Sequence, residues 1–251
     1  KGETASFAAR SLPRASYHDD VRLLALDSQS REVADQVVPL GTEAKMDVPL
    51  QTEGLHVLAV TTGQPVAVVR RTNGPFALVA SEQTPLNICG GFARHYFFVP
   101  KGLKQFQIGV SADVTGEGAR LGLWSPDGKA VVDLEDDFDT LQRLRVDVPA
   151  GTDNQPWAIT VSKPQDPKLV LDDVLLWLGR GLPPYLCEQP AWLAAFVGSL
   201  QPEQISLHVP LRNLSLTQGG TFTVKFALEA APRAKRAALR AVAQDVDYPG
   251  E

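Results

Sequence analysis

Cysteine, methionine and long apolar runs are all scarce in this chain, and each scarcity excludes something. Two cysteines, Cys89 and Cys187, stand far apart in 251 residues. They are too few and too distant to read as a metal ribbon. Two free thiols and one disulfide are the open alternatives, the second requiring an oxidising compartment and Cα atoms within roughly 7 Å. The single methionine is Met46 and the chain starts at Lys1, so the expectation is a processed or truncated piece. Its first residues lack the charged, apolar and small-residue segments of a secretory signal. No apolar run reaches the roughly 18 residues of a membrane-spanning helix. Lys plus Arg number 24 against 29 Asp plus Glu, a net charge of −5 with no basic block. That balance argues against a nucleic-acid partner. A phosphate loop, a dinucleotide fingerprint and a Gly-x-Ser-x-Gly elbow are missing too.

What is present is turn chemistry and a period of two. Twenty glycines and 19 prolines are spread along a chain that is 44% hydrophobic. Short apolar runs at 21–26, 36–40, 55–60, 66–69 and 76–79 predict strands, the last three as a β-meander. Further on, Phe106, Ile108 and Val110 alternate with Gln105, Gln107 and Gly109, as a half-buried strand requires. Ser125-Pro126-Asp127-Gly128-Lys129 reads as a tight reversal, with proline presetting φ and Asp-Gly closing the turn. Strands are also expected at 144–148, 157–161, 205–209 and 221–228, with 169–178 a strand entering a loop. Pro183-Pro184 forbids helix. Only 231–244 reads as helix, with Pro232 near its start, several basic residues and an alanine-rich side too slight for membrane binding. The spacing of turns predicts an all-β protein. Two antiparallel β-sandwich domains of jelly-roll or Ig-like type are expected at 1–85 and 90–210, followed by a C-terminal strand and short helical tail at 211–251.

One segment carries a resemblance. Tyr96-Phe97-Phe98-Val99-Pro100-Lys101-Gly102, then Phe106 to Val110, then Leu121-Gly122-Leu123-Trp124-Ser125-Pro126-Asp127-Gly128-Lys129 follow the order found in bacterial pre-peptidase C-terminal domains. Related galactose-binding-like jelly rolls share it. The similarity spans residues 94–132 and rests on a strand and a turn, so it bears on fold more than on ligand. It implies an accessory β-sandwich of a secreted, cell-surface or periplasmic bacterial protein, often contacting carbohydrate. It carries over no catalytic residue.

The residues supply candidate sites of two kinds. A flat aromatic face can stack on a pyranose while polar neighbours bond its hydroxyls. On that ground Trp124, Tyr185, Trp192 and Arg94 are the candidates for carbohydrate, with Tyr185 and Trp192 expected to form an exposed pair in the Pro-rich loop. Trp157 reads as core. The acidic run Asp133-Leu134-Glu135-Asp136-Asp137-Phe138-Asp139 is expected on a loop. Asp133, Asp136, Asp137 and Asp139 are its candidate calcium ligands, although the spacing of an EF-hand is absent. No other cofactor is indicated. Cys89 with His95 lacks the surroundings of a thiol nucleophile.

Three functions remain. The leading one is a non-catalytic carbohydrate-associated or adhesion module. The second is an assembly protein that holds another polypeptide along its strand edges and Pro-rich loop. The third is a polysaccharide-active enzyme using scattered carboxylates, Asp136 and Asp137 among them.

Overall fold

A computed structural model of the protein describes residues 2–14, 16, 18–63, 66–112 and 114–197. The strands expected at 205–209 and 221–228 and the helix at 231–244 lie outside the described residues. Their regular elements are strands, apart from one 3-10 turn and one short helix.

The first six strands are β1 (Glu3–Leu12), β2 (Val21–Leu26), β3 (Glu32–Val38), β4 (Glu43–Leu50), β5 (Val57–Thr61) and β6 (Val66–Arg71). They form two three-stranded antiparallel sheets, ordered β4-β1-β6 and β3-β2-β5. Alternation decides which side faces in: Ala5, Phe7 and Ala9 from β1 meet Val21, Leu23 and Ala25 from β2 in one buried cluster. Burying a side chain of this kind contributes about 1.5–3 kcal/mol.

The expected β-meander over 55–79 does not form. β5 pairs with β2 and β6 pairs with β1. The short strand β7 (Leu78–Val79) pairs with β16 (Tyr185–Leu186). The Asn73-Gly74-Pro75 segment is therefore no hairpin. Asn73 uses its side-chain amide as a surrogate backbone, accepting from the Ser6 N–H at 2.7 Å and donating to the Thr4 carbonyl at 2.7 Å.

The second group comprises β8 (Leu86–Ile88), β9 (Phe92–Val99), β10 (Gln105–Ala112), β11 (Ala119–Trp124), β12 (Ala130–Asp136), β13 (Gln142–Asp147), β14 (Gln155–Ser162) and β15 (Val174–Leu178). Its sheets run β13-β10-β15-β8 and β12-β11-β14-β9. That interleaving is the double Greek key of an eight-stranded jelly roll. A second buried cluster fills the space between them, with Phe97, Phe106, Trp157 and Leu176 near its centre. Phe106 meets Phe97 and Trp157 edge-on, at centroid distances of 5.6 and 5.3 Å. Trp157 keeps its indole N–H satisfied on the Thr152 carbonyl at 2.8 Å, so it is core, as expected. After β16, a single 3-10 turn (Pro190–Trp192) leads into α1 (Leu193–Val197).

The outer sides of both jelly-roll sheets carry a tryptophan over a glycine. A Cβ on Gly109 would lie 2.0 Å from Trp177 Cε2, and one on Gly122 would lie 2.3 Å from Trp124 Cη2. Each indole lies on the sheet because the residue beneath has no side chain. Gly109→Ala is accordingly expected to cost about 1–3 kcal/mol by forcing the Trp177 ring off its seat. Trp157→Ala is expected to cost about 3–5 kcal/mol through the cavity it leaves. Urea unfolding of the two variants checks both figures.

Candidate functional site

The candidate site is the outer face of the sheet β12-β11-β14-β9. Strand alternation sends Leu121, Leu123, Trp157, Ile159, Phe97 and Val99 into the core. It leaves Arg120, Gly122 and Trp124 of β11, Ala158 and Thr160 of β14, and Arg94, Tyr96 and Phe98 of β9 on the opposite face. The register places Trp124, Ala158 and Tyr96 in one row across three strands. Ala158 is only 6% exposed, because its larger neighbours close over it. Arg94 reaches across β14, and its guanidinium carbon lies 4.5 Å from the centroid of a Trp124 ring. Such a stack stabilises by about 0.5–1 kcal/mol at an exposed position. The Trp124 indole thus has Gly122 against it and the Arg94 cation over it.

Charges around this row are neutralised in pairs. Arg120 grips Asp133 bidentately, at 2.7 Å through both nitrogens. Glu135 accepts the backbone N–H groups of Gln165 and Asp166 at 2.6 and 2.9 Å. Asp127, in the reversal that follows Trp124, is held down to about 2 chiefly by the Ser125 hydroxyl and then by Lys129. Among the described residues no carboxylate is paired with Arg94, which is exposed. The row therefore presents an unpaired cation lying over aromatic surface.

Of the four aromatic and cationic candidates, the structure brings Arg94 and Trp124 together. The expected exposed pair of Tyr185 and Trp192 is corrected. Tyr185 belongs to β16 and packs against Phe196, with centroids 5.5 Å apart. Trp192 closes the 3-10 turn, and both residues are half-buried. Tyr96, in sequence simply part of an aromatic strand, joins Trp124 in the row. Its alternation with the core residue Phe97 was the signal that it faces outward.

The acidic run is not the loop expected of it. Asp133, Glu135 and Asp136 lie on β12, and Phe138 is fully buried with φ of 52°. A large apolar side chain inside the run pulls the chain inward, so the carboxylates fan apart. Asp136 accepts from Gln142 Nε2 at 2.6 Å, and Asp137 from the Asp139 N–H at 3.4 Å.

A second polar cluster was not foreseen. Arg14, in the connection from β1 to β2, reaches Asp172 and Asp173 just before β15. Its contact to Asp173 is 3.2 Å through one nitrogen and 3.0 Å through the other. Asn87 donates to Asp173 at 3.1 Å, and the Cys89 thiol does so at 3.4 Å. The Cys89, Asp172 and Asp173 ligand atoms are close enough together to surround a cation. Their protonation and partners oppose one. Desolvation pushes the Cys89 thiol up to about 11, leaving it protonated at neutral pH, and only the thiolate ligates well. The Arg14 guanidinium already occupies the carboxylates. The cluster is a clamp between the two sandwiches.

Cys187 is buried and is likewise pushed up, to about 12, by desolvation. Both cysteines are free. His95 bonds the Ala93 carbonyl at 2.8 Å and stacks on Phe92, apart from Cys89's partners.

No protein-family model and no curated protein matches the chain. A solved structure, that of the infectious bursal disease virus Gx strain, aligns over 70% of this chain at 13% identity with a TM-score of 0.22. The chain covers 53% of that one, about half its length. A likeness this slight carries no argument about fold or function. Among the described residues no helix is long and apolar enough to cross a membrane.

The clamp gives a pH-dependent expectation. Hydrogen bonding to Arg14 holds the Asp173 carboxyl below its ordinary value. Its contribution is therefore fully present above the ordinary carboxylate range and is lost as pH falls through the depressed folded-state value. Arg14→Ala is expected to lower stability by about 1–2 kcal/mol at pH 7. The gap to the parent protein should close below about pH 4. Urea unfolding across that range measures it, and a gap independent of pH would count against the ion pair.

Proposed function

We propose that the chain is a non-catalytic, carbohydrate-associated or adhesion module of a secreted bacterial protein. It works through the outer face of the jelly-roll sheet. The observation that carries this reading is the ordered cross-strand row of Trp124 and Tyr96 with Arg94 over the indole. A rigid aromatic surface beside a charged fork binds at little entropic cost, because its side chains are already held in place. Trp124 is packed between Gly122 and Arg94, so sugar contact is made with the composite surface rather than with a bare indole face. The resemblance of residues 94–132 to accessory β-sandwich modules supports the same reading.

Affinity electrophoresis against a panel of soluble polysaccharides tests it. Trp124→Ala should weaken binding at least tenfold, about 1.4 kcal/mol. Arg70→Ala, on β6 of the first sandwich, should change it less than twofold. Retention by no polysaccharide in the panel would overturn the reading.

One further observation favours the assembly alternative. Val37 on the edge strand β3 and Val57 on the edge strand β5 are 54% and 49% exposed. Unpaired edges with apolar side chains are templates for strand addition. Sedimentation velocity decides it: a stable oligomer that Val57→Lys dissociates would favour assembly over glycan binding.

A further inference from the structure

We infer that the row selects acidic glycans, with Arg94 taking the anionic group of the sugar. The inference rests on the carbohydrate reading above and names its ligand class. Three observations carry it.

The guanidinium of exposed Arg94 lies over the Trp124 ring, 4.5 Å from its centroid. The stack favours a guanidinium held against the indole, and a guanidinium fork matches a carboxylate or sulfate bidentately.

Arg94 also keeps its charge uncompensated among the described residues. The neighbouring cation Arg120 is neutralised by Asp133, and Lys129 in the adjoining reversal by Asp127 at 3.0 Å. Arg94 lies over Trp124, at one end of the aromatic row.

Finally, the chain carries a net charge of −5. General ion exchange with a polyanion is thus unfavourable, and any acidic glycan retained must be held by a local cation. Uncharged contacts for the rest of the sugar are near at hand. The Thr160 hydroxyl lies beside the Gly122 seat of the indole, and Tyr96 stands in the same row.

Affinity electrophoresis of the whole chain in gels containing polygalacturonate, carboxyl-reduced polygalacturonate, dextran sulfate or dextran tests the inference. Retardation by polygalacturonate or dextran sulfate, with at least tenfold less by the neutral counterpart, is the expected result. Which of the two anionic gels retards the protein distinguishes a uronate from a sulfate ester. Arg94→Gln should abolish the preference. Arg94→Lys should restore only part of it, because an ammonium cannot offer the bidentate fork. Arg94 is exposed and loses only one weak stack, so both variants should stay folded and unfold within a few degrees of the parent. Equal retardation by neutral and acidic polymers would overturn the acidic selection and leave the carbohydrate reading standing. Full retention of the preference in Arg94→Gln would overturn the role of Arg94. No retardation in any gel would sink both.

Discussion

An indole laid on a glycine is the contact on which the outer surface of the jelly roll depends. A sandwich solves only half of its packing problem by burying alternate side chains between two sheets. The other half of each strand still faces outward, and a large aromatic there must lie flat or stand free. Gly122 and Gly109 remove the Cβ that would lift Trp124 and Trp177 from the sheet. Trp177 is buried at its seat, whereas Trp124 stays partly open and becomes the base on which Arg94 rests. One local geometry thus yields a packed surface on one sheet and a candidate recognition surface on the other.

Charge placement follows a similar economy. Most carboxylates near the row are tied to a neighbouring cation or to backbone N–H groups, which fixes side chains without leaving a diffuse field. Arg120–Asp133 is partly exposed on both sides, so its energetic worth is small and its geometric effect is the larger one. The Arg14 clamp differs because it spans two separately buried clusters. It involves a loop residue of the first sandwich and the approach to β15 of the second, with Cys89 and Asn87 completing the donors around Asp173. A thiol hydrogen-bonded there and pushed upward by desolvation is a structural donor rather than a nucleophile.

Much of the jelly roll was legible because its strands advertise themselves locally. The alternation of Phe106, Ile108 and Val110, the aromatic run at 96–99 and the Pro-Asp-Gly reversal all correspond to β9, β10 and the β11–β12 connection. Strands with weaker side-chain signals were missed. β1 is built largely from Ala and Ser, and β4 carries Lys45, Asp47 and Pro49 at outward or edge positions. The acidic run misled because charge density was read as solvent exposure, while the single Phe138 decides the path of the chain. Arg94 and Trp124 were each identifiable as residues able to touch a sugar. Their stacking was not, since it joins β9 to β11 across an intervening strand. Arg14 offered no signal, its partners being more than 150 positions away.

By itself the sequence determined the all-β class, the frequent reversals and which side of most strands is apolar, because a period of two and turn chemistry are properties of neighbouring residues. The tertiary structure alone decided which strands pair, which outward residues share a face and which charges remain uncompensated. Those depend on register between segments brought together by burial of a common core, and the free energy of that burial is blind to sequence separation.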